Sequence, residues 1–209
     1  VVREGFLYLN VTNKEFFVSV KFPLDSEEDF HATVEAKTFL DLISKLTTPD
    51  FRLTVKDNVV NIGFGKKSNY PIPLIYNNDE LLTLEPIVIQ NKTVEMVIPN
   101  DALSSILNVN SKEIQKVAGL KKQNININEL QELYYIDQDG CFTFTTGSCL
   151  NNFKTPLEKP INILLTDKIV KLFKLFTDDV FFCLGQDASS NGLTRTKISF
   201  QANNTYLAR

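Results

Sequence analysis

Histidine is nearly absent from this chain: His31 is the only one in 209 residues. One imidazole cannot build a histidine metal cluster, and His31 falls at what reads as the start of a strand, a structural position. Catalysis by a histidine-activated nucleophile therefore lacks its base, and Cys149 has no histidine to activate it. The three cysteines, Cys141, Cys149 and Cys183, are odd in number, widely spaced and without a C-x-x-C pair. Reduced, mostly buried thiols are expected, as in a cytoplasmic protein. No apolar run approaches the ~18 residues that a membrane helix needs, so no membrane partner is expected. "GFGKKS" (63–68) lacks the G-x-x-x-x-G-K-[ST] spacing of a phosphate loop, and no helix pattern follows it. "DSEED" (25–29) is acidic but lacks the spacing of a calcium loop and reads as an exposed turn. An enzyme using that loop and a metal is a third-ranked reading, and no metal or cofactor is expected. The chain has no Trp and only one Met.

What the sequence does have is 16 Phe and a hydrophobic fraction of 43 %, enough for a sizeable core built on Phe, Leu, Ile and Val. The net charge of −3 excludes a globally basic molecule, though not a local basic surface.

Period-two alternation dominates the chain. "GFLYLNVTNKEFFVSVKF" reads as two strands around Asn13-Lys14, and "FRLTVKDNVVNIGFG" as a hairpin turned at Asp57-Asn58. "KKSNYPIPLI" reads as an edge strand because its prolines forbid a central place. "YNNDELLTLEPIVIQN" (76–91) reads as a crossover, which predicts one domain over 1–91 and another over 92–209. "ELYYIDQDGCFTFTTG" is a hairpin turned at Gln138-Asp139-Gly140, and "TRTKISFQANNTYLA" another. The fold class is α+β, with antiparallel sheets and helices on one face.

One unit recurs. "HATVEAKTFLDLISKLTTPDFRLTV" (31–55) reads as strand, helix, strand, with a helix over 36–46. Phe39, Leu40, Leu42, Ile43 and Leu46 form its apolar face. At an offset of 130, these positions fall on Ile169, Val170, Leu172, Phe173 and Phe176. Phe51 falls on Phe181 and Leu53 on Cys183. "TVEMVIPNDALSSILNVNSKEIQKVAG" fits the frame less closely, with Leu103, Ile106 and Leu107 as its apolar positions and Asn100 or Asp101 as the expected cap. Three one-sided helices of about three turns are thus predicted.

The opposite faces carry lysine. Lys168, Lys171 and Lys174 recur every three residues, which on an α-helix spans about 120° of arc. The first helix offers Lys37 and Lys45 on its polar face. Lys112 and Lys116 follow the second, with Lys121 and Lys122 beyond. Lysines near helix C-termini are common for dipole reasons alone. As a set they suit weak, sequence-blind contacts to backbone phosphates. No aromatic residues interleave with them, so stacking on single-stranded bases is not expected.

"HATVEAKTFLDLISKL", preceded by "GFLYLNVTNKEFFVSVKF", resembles the first domain of the bacterial sliding clamp, the β subunit of DNA polymerase III. That family has a similar strand pair and a "T-V-x-A-K-x-F" lead into its helix. "VIPNDALSSIL" is similar to the first helix of the clamp's second domain, "TTGSCL" to its "T-D-G-H-R-L" segment, and "NNTYLAR" to the strand leading into its third domain. Relative to that family, the first strand, helix and strand of domain one and the whole third domain are missing from these residues. The Asn-, Lys- and Ile-rich composition suits an AT-rich genome, such as that of a phage or a low-GC bacterium.

The resemblance implies the DNA-clamp fold: a ring lined by helices, walled by sheets, encircling duplex DNA without reading its sequence. The ring would be a homo-oligomer, either a dimer of three-domain chains or a trimer of two-domain ones. Lys37, Lys45, Lys112, Lys116, Lys168, Lys171 and Lys174 would face DNA. The "T-D-G-H-R-L" segment helps form the family's hydrophobic pocket for peptides of polymerases and clamp loaders. Here it corresponds to Thr145, Thr146, Gly147, Ser148, Cys149 and Leu150, with Leu130 as a further wall. Ser148 and Cys149 stand where the family has His and Arg, which would make the pocket less basic. The competing expectation is a clamp-fold module that does not close into a ring, such as a monomeric viral processivity factor or a binder of partner peptides.

Overall fold

The computed structural model describes residues 1–209 apart from 14, 27, 47–49, 65–67, 109–132, 138–139, 146–148, 154–158, 160, 162 and 189–193; for the strands between 133 and 153 it describes the backbone. The chain divides into two compact units, Val1–Ile87 and Val88–Arg209. Among the described residues no helix is long and apolar enough to cross a membrane.

In the first unit the alternating runs form β1 (Val2–Arg3), β2 (Phe6–Thr12) and β3 (Phe17–Pro23), paired antiparallel in that order. The register Leu7↔Phe22, Leu9↔Val20 and Val11↔Val18 puts their apolar residues on one face. The β2–β3 loop closes on Asn13, whose Oδ1 accepts from the Glu15 and Phe16 amides at 2.7 and 2.8 Å.

Residues 31–35, expected as a strand, are extended but outside any ladder. Their backbone is used elsewhere: the Ile75 amide donates to the Thr33 carbonyl at 2.8 Å. Helix α1 (Ala36–Ile43) then begins on Glu35, whose carboxylate accepts from the Thr38 amide at 2.7 Å and the Lys37 amide at 3.3 Å, and from the Thr38 hydroxyl. These bonds hold the Glu35 carboxyl below its ordinary pKa, the Thr38 hydroxyl contributing most. The helix is shorter than the expected 36–46. It ends by tightening, with Lys45 and Leu46 amides bonding to carbonyls three residues back.

Phe39, Leu42, Ile43 and Leu46 pack on Val60, Ile62 and Ile72. Leu40 does not join them and is 65 % exposed. Its expected place in the apolar stripe is thus corrected: it projects from the flank of the helix that this sheet does not reach. The sheet is β4 (Arg52–Lys56), β5 (Val59–Phe64) and β6 (Ser68–Pro73). Asp57 and Asn58, at φ 52 and 63, make the two-residue turn between β4 and β5. Pro71 and Pro73 lie on β6, at the sheet's edge, where a missing N–H is tolerated. The expected crossover also holds a small hairpin, β7 (Tyr76–Asn77) and β8 (Glu80–Leu81), turned at Asn78-Asp79 with both φ positive.

The second unit opens with β9 (Lys92–Ile98) and α2 (Asn100–Asn108). At the start of α2 the Asn100 amide donates to the Asp179 carboxylate at 3.0 Å, and the Asn100 side chain donates to the Phe176 and Asp178 carbonyls, tying α2 to the 176–179 loop. Leu103 is buried at the core of the unit and Leu107 is half-buried, while the Ile106 side chain lies outside the described residues.

Strands β10 (Leu133–Asp137), β11 (Gly140–Thr145), β12 (Cys149–Phe153) and β13 (Ile163–Thr166) form a sheet in the order β12-β11-β10-β13. Next comes α3 (Asp167–Val170), which continues as a 3-10 segment, Lys171–Leu175. The unit closes with β14 (Val180–Ala188), β15 (Thr194–Gln201) and β16 (Thr205–Ala208), which lie beside β9 in the order β16-β15-β14-β9.

Phe200 anchors this core. Its ring lies 4.9 Å from Phe173, 5.2 Å from Phe182 and 6.5 Å from Phe176, all tilted. Burying one such ring contributes about 1.5–3 kcal/mol, and tilted ring pairs add about 0.5–1.5 kcal/mol each.

Candidate nucleic-acid interface

The third lysine-bearing element departs from the expected α-helix of three turns, and its sequence explains how. From Lys168 to Phe176 the chain reads KIV-KLF-KLF, three triplets of one lysine and two apolar residues. A period of three does not match 3.6 residues per turn, but it matches the 3.0 of a 3-10 helix. The chain makes one α-turn and then winds 3-10 over Lys171–Leu175.

Each position of the triplet therefore keeps to one edge of the element. Val170, Phe173 and Phe176 are buried, at 2, 1 and 5 % exposure. Ile169 is buried, and Leu172 and Leu175 are half-buried. Lys168, Lys171 and Lys174 are exposed. The expected 120° arc is thereby corrected to a near-straight row, with Lys171 and Lys174 eclipsed and their backbones about 6 Å apart. Repeated Phe and Leu burial holds the segment in this tighter winding, and the lysines ride on the opposite edge.

The remaining basic candidates fall in several places. Lys37 lies exposed in the first turn of α1, and Lys45 exposed just beyond its end. Lys112 and Lys116 lie outside the described residues. Not every lysine is on an open face. Lys21 sits 3.7 Å from the Phe6 ring centroid, and Lys197 Nζ pairs with Asp187 at 2.6 Å.

For the peptide-pocket candidates, the backbone places Thr145 at the end of β11 opposite Cys149 at the start of β12, with Leu150 opposite Phe144. Leu130, Gly147 and Ser148 lie outside the described residues. The acidic loop is tied into the turn before β2, Asp29 Oδ1 accepting the Glu4 amide at 3.0 Å. His31 Nε2 stands 3.3 Å from the Thr33 hydroxyl. Among the described residues no three or more His, Cys, Asp or Glu side chains are grouped to hold a metal ion.

The folded chain was compared with known proteins. It superimposes on the DNA polymerase III β subunit of Thermotoga maritima with a TM-score of 0.67 over 99 % of its length, at 12 % identity. This is the fold of the bacterial sliding clamp. The β subunit of Pseudomonas aeruginosa matches this clamp fold with a TM-score of 0.62 at 16 % identity. The Helicobacter pylori β clamp, in a structure bound to a DNA ligase peptide, matches at 0.60 and 17 %. Both are again covered over 99 % of this chain. The chain spans about half of each clamp, 53 % of the Thermotoga subunit and 55 % of the other two. No protein-family model and no curated protein sequence matches it. The likeness therefore lies in the clamp fold, carried by apolar pattern and element order with few identities.

Proposed function

We propose that this chain is part of a DNA sliding clamp, a processivity factor that closes into a ring around duplex DNA and tethers a polymerase. The observation that carries the reading is the exposed row of Lys168, Lys171 and Lys174 on an element of the clamp fold whose other edges are buried or half-buried. Ammonium groups on flexible stems meet phosphates as point charges, without the planar bidentate geometry by which arginine reads guanine. Such contacts are weak singly and strongly salt-dependent. A ring retains DNA by topology, so weak contacts suffice and leave the duplex free to slide. With a net charge of −3, the rest of the surface adds no broad attraction that would hold DNA in place.

Lys37 and Lys45, with Lys112 and Lys116, would extend the phosphate-facing surface. Polymerase and clamp-loader peptides would enter a hydrophobic pocket that includes Leu130, Thr145, Gly147, Ser148, Cys149 and Leu150. With Ser148 and Cys149 where the family has His and Arg, the pocket would favour peptides with less acidic flanks than a basic one does.

The test uses the full-length protein with its polymerase and loader. Lys168→Glu, Lys171→Glu and Lys174→Glu combined should shorten the product made per binding event at least about tenfold, through charge repulsion from phosphate. Full processivity in a correctly folded triple variant would defeat the reading. So would a full-length protein that stays monomeric at micromolar concentration.

A further inference from the structure

Residues 82–91 join the two units without a strand or helix. The first end of this connector is held in the first unit. The Leu82 amide donates to the Ile75 carbonyl at 2.9 Å, and the Leu82 carbonyl accepts the Thr33 hydroxyl at 2.5 Å. The other end is held in the second unit by more contacts. Lys197 Nζ pairs with Asp187 at 2.6 Å and donates to the Val88 carbonyl at 3.3 Å. Asn91 Nδ2 reaches Asp187 Oδ1 at 3.4 Å, and the Gln186 amide donates to the Asn91 carbonyl at 3.1 Å. Ile89 is 7 % exposed. It lies against Gly185, where any Cβ would overlap Ile89 Cγ2 and the Asn91 carbonyl oxygen.

Strand register explains why these groups meet. Lys197 on β15 is the direct partner of Gly185 on β14, and Asp187 is two residues along β14 on the same face. Gly185 leaves a bare patch of backbone between the two charges, and the connector crosses there. The β9–β14 register shifts at the same point, between Leu184 and Gly185. The ion pair is partly withdrawn from water, its side chains 31 and 19 % exposed, so it is screened less than a surface pair.

We propose that Lys197 is a positioning residue: its ammonium latches residues 88–91 onto β14 at Gly185, and this strap opens as a local unit while the sheet beneath it stays paired.

The test needs no DNA, so its failure is distinct from failure of the clamp reading. In the full chain, Lys197→Met should speed hydrogen exchange at the Gln186 amide about tenfold, as expected of a local opening, while core amides such as Phe182 and Phe200 stay unchanged. Thermolysin should begin to cleave before Ile89. Lys197→Arg, which keeps a donor for both Asp187 and Val88, should restore protection. Gly185→Ala should expose the same site with the ion-pairing residues intact. Wild-type exchange and cleavage in a folded Lys197→Met would overturn the latch. If that variant unfolds, Asp187→Asn decides: faster exchange at Gln186 supports the latch, and an unchanged rate overturns it.

Discussion

Replacing Lys168, Lys171 and Lys174 together by alanine makes the sharpest quantitative test of the lysine row. All three are exposed, so each replacement should change stability by no more than about 0.5 kcal/mol. Lys174 is in the last turn of its segment, where loss of a cation costs a further ~0.3–1 kcal/mol of dipole interaction. The fold should survive both. If each ammonium displaces counterions from one phosphate, the slope of log K against log salt should become shallower by about 0.9 per lysine, or about 2.7 in all. From 50 to 200 mM salt, log concentration rises by about 0.6, so the triple variant should lose about 40-fold less affinity over that interval than the parent does. Fluorescence anisotropy on a labelled duplex at four or five salt concentrations reads the slope, and a thermal melt checks the fold. Lys56→Ala, at the β4–β5 turn where Nζ stands 4.0 Å from Asp57, is the control and should leave the slope in place. A folded triple variant whose slope equals the parent's would refute the reasoning, whatever its absolute affinity.

Three further outcomes are expected. Phe200→Ala, which empties the centre of the Phe173–Phe176–Phe182 cluster, should cost about 3–5 kcal/mol in a denaturant melt of the second unit. Leu40→Glu and Val170→Glu occupy equivalent positions of the repeat but should behave oppositely. At 65 % exposure the first should be near neutral, whereas at 2 % the second should unfold its unit, as read by circular dichroism. The Lys197 ammonium and the Asn91 bonds hold the Asp187 carboxyl below its ordinary pKa. Its contribution to the latch is therefore complete above the ordinary carboxylate pKa and is lost only as pH falls through Asp187's own lower value. The Gln186 amide shift should follow that titration and lose it in Asp187→Asn.

Much of the architecture can be read directly from the chain. Period-two alternation marked β2, β3, β5 and β15, because a half-buried strand must put every second side chain on the core. Asp57-Asn58 announced its turn, since few residues other than Gly, Asn and Asp accept two successive positive φ values. The repeat at offset 130 paired α1 with the third lysine-bearing element, and Phe51 with Phe181, which are 42 and 41 % exposed.

Other features depended on neighbours distant in sequence. Residues 31–35 have strand-like composition, yet they join no ladder; the Thr33 carbonyl is taken by Ile75. Asn100 is a good cap residue by type; that its side-chain amide also donates to the distant Phe176 and Asp178 carbonyls, and its backbone amide to Asp179, is set by the fold. Leu40 matches its apolar stripe, but no element of the described unit reaches its flank. The connector latch is invisible in sequence, because Gly185, Asp187, Lys197 and Ile89 meet only through strand register.

Local pattern by itself thus determined which segments alternate, where they turn, and that lysine recurs every third residue over Lys168–Lys174. Tertiary structure decided that this triplet winds as 3-10 and aligns its charges in a row. Periodicity states which residues share a face, but only packing of Phe173 and Phe176 against Phe200 sets the pitch at which they share it.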